Sequence, residues 1–275
     1  MIGSIKSEWR KLRQRPAYLV GTALVVAVTV LVYSVNYYQF TWPSAANAGQ
    51  AALNKQALYP ADFVLNVIGA SFPLGAALAI VLGALTSGAE YGWGTLKTLL
   101  TQRPGRLTGL AGRLMAMGLW MGLLSGALYL GGAICSLVIA LVDGHSINWP
   151  SLAVIAEAVG ATWLILACYS LLGLALGIVF RQAAAAVGLG VIYLVLIQTI
   201  LVRFVSGLSS GYHWLLKAFD GESAGSLVQS FGTAIPDPHA PPALMTGTEA
   251  ALVLTAYAVV FAVVSGGLIW RRDVT

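Results

Sequence analysis

Long apolar runs separated by short, mostly basic interruptions set the pattern of this chain. At its start Ile2, Ile5, Trp9 and Leu12 recur at helical spacing, while Lys6, Arg10, Lys11, Arg13 and Arg15 fill the rest of the surface. That pattern predicts an amphipathic helix over residues 2–15 that lies at a membrane interface. No charged residue then occurs from Pro16 to Asn54, and residues 17 to about 40 are enough to cross a bilayer. The run exceeds the apolar core of a cleaved leader, so it reads as a permanent span. Tyr33, Tyr37, Tyr38 and Trp42 gather at its far end, as aromatic side chains do at a membrane boundary. A loop follows to about Asp62.

The second span is expected over residues 63–86, with Pro73 removing a backbone donor near its middle and kinking it. Gly75, Ala79 and Gly83 repeat every four residues and offer a smooth packing face. The third span runs from Arg113 to about Val142. Its Gly118, Gly122 and Gly126 have the same spacing, which permits close helix contact either within the chain or between chains. A short loop to Pro150 leads to a fourth span ending near Phe180. Arg181 and Gln182 make the turn to a fifth, residues 183–202. Residues 203–248 form two short apolar-sided pieces, one carrying Leu208, Trp214, Leu215, Ala218 and Phe219, the other Leu227, Val228 and Phe231. The Pro-rich run 236–242 is a loop, and residues 250–270 make the sixth span. The expected fold is therefore an all-α membrane protein, residues 1–275 forming one transmembrane domain.

Composition agrees with a bilayer: 58% of the residues are hydrophobic and 9% charged, against about a quarter charged in soluble domains. The net charge of +5 does not point to nucleic acid, because the basic residues lack aromatic interleaving on a soluble scaffold and sit beside apolar runs. They read as topology signals. Twelve Lys and Arg fall in the segments flanking the spans on one side, against Lys55, Arg203 and Lys217 on the other. This asymmetry predicts that both termini are cytoplasmic in a multi-pass protein of the inner membrane. Cys135 and Cys168 lie within apolar runs and read as small apolar side chains.

The segment from Glu90 to Arg106, Glu-Tyr-Gly-Trp-Gly-Thr-Leu-Lys-Thr-Leu-Leu-Thr-Gln-Arg-Pro-Gly-Arg, is the polar, basic break between two apolar halves. As a short helix it places Trp93, Leu96 and Leu100 on one face and Lys97 and Thr101 on another. Gly92 and Gly94 weaken that helix by ~1 kcal/mol each relative to Ala, so contacts outside the segment have to hold it. Lipid alone or a partner protein would both serve.

Glu90, Gly94-Thr95-Leu96, Leu99-Leu100 and Arg106 resemble the cytoplasmic coupling helix of the type-2 ABC exporter permease family, and the resemblance covers the whole chain. It implies that Glu90, Trp93, Thr95, Leu96, Lys97, Leu99, Leu100 and Arg106 contact a separate ATPase. It also implies a half-inserted outer hairpin before the last span. Relatives carry a proline in that hairpin, and none occurs here between Tyr212 and Ile235. The implied assembly has two ATPase chains and a second permease subunit, identical or similar, surrounded by lipid. ATP and magnesium would sit in the ATPases, with no cofactor in this chain.

The residues themselves supply no catalytic site. Gly94-Thr95-Leu96-Lys97-Thr98 lacks the glycine that a phosphate-binding loop needs before its lysine. His145, His213 and His239 fall in outer segments without metal-ligand spacing, so neither a metal site nor an enzyme is expected. Glu157 is the acid well inside an expected span. It shares a face with Gly160, Ala161 and Leu164, and reads either as an intramembrane polar site or as a carboxylate near the outer boundary held by a helix N-terminus. An ion- or proton-coupled transporter or channel using Glu157 is the alternative to an ATP-driven exporter of an apolar or amphipathic cargo such as a drug, peptide antibiotic or lipid.

Overall fold

The structure is a computed structural model and describes residues 2–43, 48–92, 106–196, 216–217, 219–232 and 243–271. Its described elements are all helical: α1 (Ile2–Gln14), α2 (Pro16–Thr41), α3 (Ala48–Gln56), α4 (Phe63–Gly92), α5 (Arg106–Asp143), α6 (Leu152–Phe180), α7 (Ala183–Ile192), α8 (Asp220–Gln229) and α9 (Gly247–Arg271). Among them α2, α5, α6 and α9 are long and apolar enough to cross a membrane, and α4 makes a fifth if its two bent halves count as one span. Six spans were expected. The difference lies at α7, which widens into a π-helical turn at 193–196, while residues 197–202 of the expected fifth span lie outside the described residues.

Helix ends follow local chemistry. Pro16 occupies the first turn of α2, where its missing N–H costs nothing. Ser151 caps α6, its hydroxyl accepting from the Val154 N–H at 3.4 Å. The last span starts three residues earlier than its apolar run. Thr246 and Glu249 form a capping box there, the Glu249 carboxylate accepting from Thr246 N–H at 3.0 Å and the Thr246 hydroxyl from Glu249 N–H at 3.3 Å. The loop expected after α2 also contains a helix, α3, that its weak periodicity did not announce. The two halves of α4, Phe63–Gly69 and Leu74–Gly88, differ in direction by 51°, at the position where Pro73 predicts a kink.

The closest packing joins α4 and α6. A Cβ on Gly83 would stand 2.0 Å from the Ser170 carbonyl oxygen, and one on Gly173 2.1 Å from that of Ile80. Only glycine admits such an approach. Gly75 and Ala79 continue the same face, with Ala79 fully buried, as the four-residue repeat predicts. Ser87 donates to the Leu174 carbonyl at 3.0 Å across this contact. Helix α5 is joined to α6 by Ser125 donating to Val159 O (2.8 Å) and by the Tyr129–Thr162 hydroxyl pair (3.1 Å). Such bonds satisfy polar groups internally where lipid offers no partner.

The repeat in α5 behaves differently. A Cβ on Gly118 or Gly126 meets nothing within 4 Å, and one on Gly122 meets only the Trp163 ring at 3.5 Å. Close helix contact within the chain is thus not made on this face. The glycines border an open groove because Leu119 and Leu123 on either side point outward.

Candidate coupling site at the inner end of the helices

Two helices carry the segment 93–105: α4 ends before it at Gly92, and α5 begins after it at Arg106. Trp93, Thr95, Leu96, Lys97, Leu99 and Leu100 lie outside the described residues. Glu90 falls in the last turn of α4 and Arg106 is the first residue of α5. What the structure describes is the set of contacts by which the N-terminal elements grip both flanking helices.

The junction of α1 and α2 holds α4. Arg15, extended between the two helices, directs its guanidinium to the Leu85 carbonyl at 3.3 Å. One turn later the buried Tyr18 hydroxyl donates to the Leu82 carbonyl at 3.0 Å and meets the Thr86 hydroxyl. Thr86 itself bonds back to Leu82 O at 2.7 Å, a satisfied arrangement for a threonine inside an apolar helix.

Helix α1 holds α5. Leu12 is 1% exposed, and Trp9 packs at a tilt against Trp120 with ring centroids 5.5 Å apart, while Tyr18 meets the same indole edge-on at 5.4 Å. Ile5 faces α5 further along. Gly112 of α5 approaches Ser4, where a Cβ would be 3.0 Å from the Ser4 side chain. Between these apolar contacts sits Glu8, 5% exposed. One oxygen accepts from Lys11 at 2.6 Å and the other lies 3.8 Å from Nε of Arg113, which is also buried. The apolar face of α1 is therefore turned onto the helix bundle, with Lys6, Arg10 and Arg13 exposed on the adjoining flank.

Glu8 is a residue the sequence reading passed over. Its signal was the 3- and 4-residue spacing to Lys11 and Leu12, which puts a carboxylate on the buried side of an otherwise basic helix. A second unannounced acid is Asp220, fully buried at the start of α8, which accepts from its neighbour Gly221 N–H at 3.0 Å and from the Tyr193 hydroxyl of the α7 continuation. Its signal was an acidic first turn, Asp220 and Glu222, in a segment treated as hairpin. Glu157, in contrast, is exposed on α6 and has no hydrogen-bond or ion-pair partner among the described residues. Gly160 beside it is exposed too, while Ala161 and Leu164 on the same face are half-buried against the core.

At the other end Asp143 gathers a clasp. It accepts from Tyr37 and Tyr59 hydroxyls, both at 3.0 Å, and pairs with Lys55 at 2.9 Å. His145 stacks on Tyr59 at 4.0 Å. The carboxylate hydrogen bond holds the Lys55 ammonium above its ordinary pKa, and burial followed by the same carboxylate raises that of Tyr59. Tyr37 thus serves as a hydrogen-bond donor as well as a boundary aromatic. No group of three metal-ligating side chains occurs among the described residues.

The geometry describes a membrane bundle whose first two helices brace the two arms of one short connecting segment, with no reaction centre built into the described part. Comparison with curated proteins gives no match. Comparison with protein families matches residues 3–273 to the ABC-2 family transporter proteins, nearly the whole chain. The chain is accordingly a member of the ABC-2 transporter family, a multi-pass permease of an ABC transporter.

Proposed function

We propose that this chain is the membrane subunit of an ATP-driven exporter of apolar or amphipathic molecules, energised by two separate ATPase chains and completed by a second permease subunit. The observation that carries this reading is the double grip of the N-terminal elements, Arg15 and Tyr18 on α4 and Glu8 on α5. A push on the segment between α4 and α5 then displaces α1, α2, α4 and α5 together with α6, which packs closely on α4. Nucleotide would drive transport by favouring one of two packings of the bundle, with residues 93–105 as the contact that reports the ATPase state. Bound ATP and magnesium would belong to the ATPases.

Apolar side chains left uncovered on α2 and α9, among them Leu19, Leu24, Leu31, Leu252, Val259 and Val263, offer surface for a second permease subunit and for lipid. The nearly uncharged spans suit an apolar or amphipathic cargo. The charge asymmetry supports cytoplasmic termini. With Gln14→Cys and Asn148→Cys, both at exposed positions, a membrane-impermeant thiol reagent added outside intact cells is expected to label the second alone.

Co-expression with an ATPase subunit tests the whole reading. A complex of two permease and two ATPase chains whose hydrolysis rises with an amphipathic cargo is the expected result. Cargo movement by the purified chain alone, driven by a proton gradient and lost in Glu157→Gln, would instead establish the ion-coupled alternative.

A further inference from the structure

A groove of about 920 Å³ runs between α1, α5 and α6, walled by Ile5, Trp9, Met115, Leu119, Leu123 and Trp163, with Gly118 and Gly122 at its floor. Of the lining side chains only the two indoles carry a hydrogen-bond donor, and that of Trp163 is spent on the Gly118 carbonyl at 2.8 Å. Whatever fills the groove is asked for no hydrogen bond. Met115, Leu119, Leu123 and Trp163 stand roughly half exposed, so the groove opens sideways onto the face that a bilayer would cover.

A basic ridge of α1 adjoins the wall that Ile5 and Trp9 give this groove. On α1 the ridge Ile5, Trp9, Leu12 lies against the bundle, and the next ridge, Lys6, Arg10, Arg13, follows it one residue on and is exposed. From there the groove descends α5: Leu123 is eight residues past Met115, ~12 Å along the helix axis. A line of exposed positive charge thus flanks the α1 wall of an apolar groove.

We propose that the groove is a binding site for an anionic membrane phospholipid, with an acyl chain along Leu119 and Leu123 and the phosphate against Lys6, Arg10 and Arg13. Charge decides between this occupant and a second copy of the chain. A two-fold contact across this face would bring the same basic ridge of both copies together, whereas a lipid phosphate neutralises it. The site is independent of which cargo the permease moves and of the ATPase.

The test uses the full chain reconstituted in phosphatidylcholine membranes doped with phosphatidylglycerol, extracted gently, with the retained lipid counted by native mass spectrometry. The unaltered chain is expected to keep phosphatidylglycerol in preference to phosphatidylcholine. Gly118→Leu fills the groove where a Cβ meets nothing within 4 Å, and should lower retention of both lipids about tenfold. A second filling variant, Leu119→Phe, should act in the same direction. Lys6→Gln with Arg10→Gln should reduce the preference for phosphatidylglycerol about tenfold, as two lost basic contacts imply, while leaving phosphatidylcholine retention unchanged. Unchanged retention in both groove-filling variants, an unchanged preference in the double Gln variant, or a change of self-association in place of lipid loss would overturn the proposal.

Discussion

Glu8 of α1 and Arg113 of α5 meet at 3.8 Å in a pair that is almost wholly withdrawn from solvent, 105 residues apart in sequence. A carboxylate and a guanidinium buried together contribute little net stability, but removing one strips a counter-charge from the other. Their value is positional: they fix the register of α1 on the helix that leaves the central segment. Lys11, on the second oxygen of Glu8, keeps the carboxylate partly neutralised when Arg113 is lost.

A double-mutant cycle with Glu8→Gln and Arg113→Met should therefore show a coupling of ~1–3 kcal/mol in thermal or denaturant unfolding, the range for contacting residues. Additive single changes would mean that the two side chains do not act as a pair.

The α4–α6 contact makes a sharper prediction. Gly173→Ala sets a methyl carbon against the Ile80 backbone, and backbone cannot swing aside as a side chain can. We expect a loss of ~1–3 kcal/mol from overpacking. Gly188→Ala, where a Cβ meets nothing within 4 Å, should be neutral or slightly stabilising, because alanine favours helix. Equal melting temperatures for the two variants would contradict the packing described.

The Asp143 clasp should respond to alkali. Lys55 and Tyr59 both have pKa values raised by folding, chiefly by the Asp143 hydrogen bond for the first and by burial for the second. A raised value means that the stabilisation is fully present below the unfolded pKa, ~10.4 for Lys and ~10 for Tyr, and is lost as pH climbs through the folded values. Lys55→Gln is expected to melt lower than the unaltered chain at neutral pH, with a gap of ~1 kcal/mol, the upper end for a surface ion pair, because both side chains are part-buried. That gap should close in strong alkali. A gap of constant size across the pH range would show that the ammonium is not what holds the clasp.

Much of this architecture was legible because membrane helices are written in composition. Long apolar runs gave α2, α4, α5, α6 and α9 to within a few residues, except for the inner ends of α4 and α5, which extend past Thr86 and begin before Arg113. Those extensions are polar enough to hide in a hydropathy pattern yet continue the helix. The start of α9 was hidden differently, in the Thr246–Glu249 capping box, a local signal that an apolar window ignores. Glycine spacing was ambiguous: the same four-residue repeat marks tight contact at Gly75 and Gly83 but open space at Gly118 and Gly126. Spacing sets the face, while the partner that covers it depends on tertiary arrangement. Buried acids were the least legible, since Glu8 and Asp220 sit in segments whose average character is basic or loop-like, and burial comes from helices distant in sequence.

The central claim is that residues 93–105, held at both ends by the braced helices, seat the permease on its ATPase. It is tested most directly by Leu96→Asp combined with Leu100→Asp, measured by how much ATPase co-purifies and how far cargo stimulates its hydrolysis. If the two leucines fill a groove on that subunit, two unpartnered carboxylates there cost several kcal/mol, ~2–5 by the usual scale for desolvated groups at an interface. On lipid alone they would only lift the segment into water. The account predicts a variant that inserts, purifies and keeps its helix content but loses most of the bound ATPase and all cargo-stimulated hydrolysis. Unchanged co-purification with unchanged stimulation would contradict it.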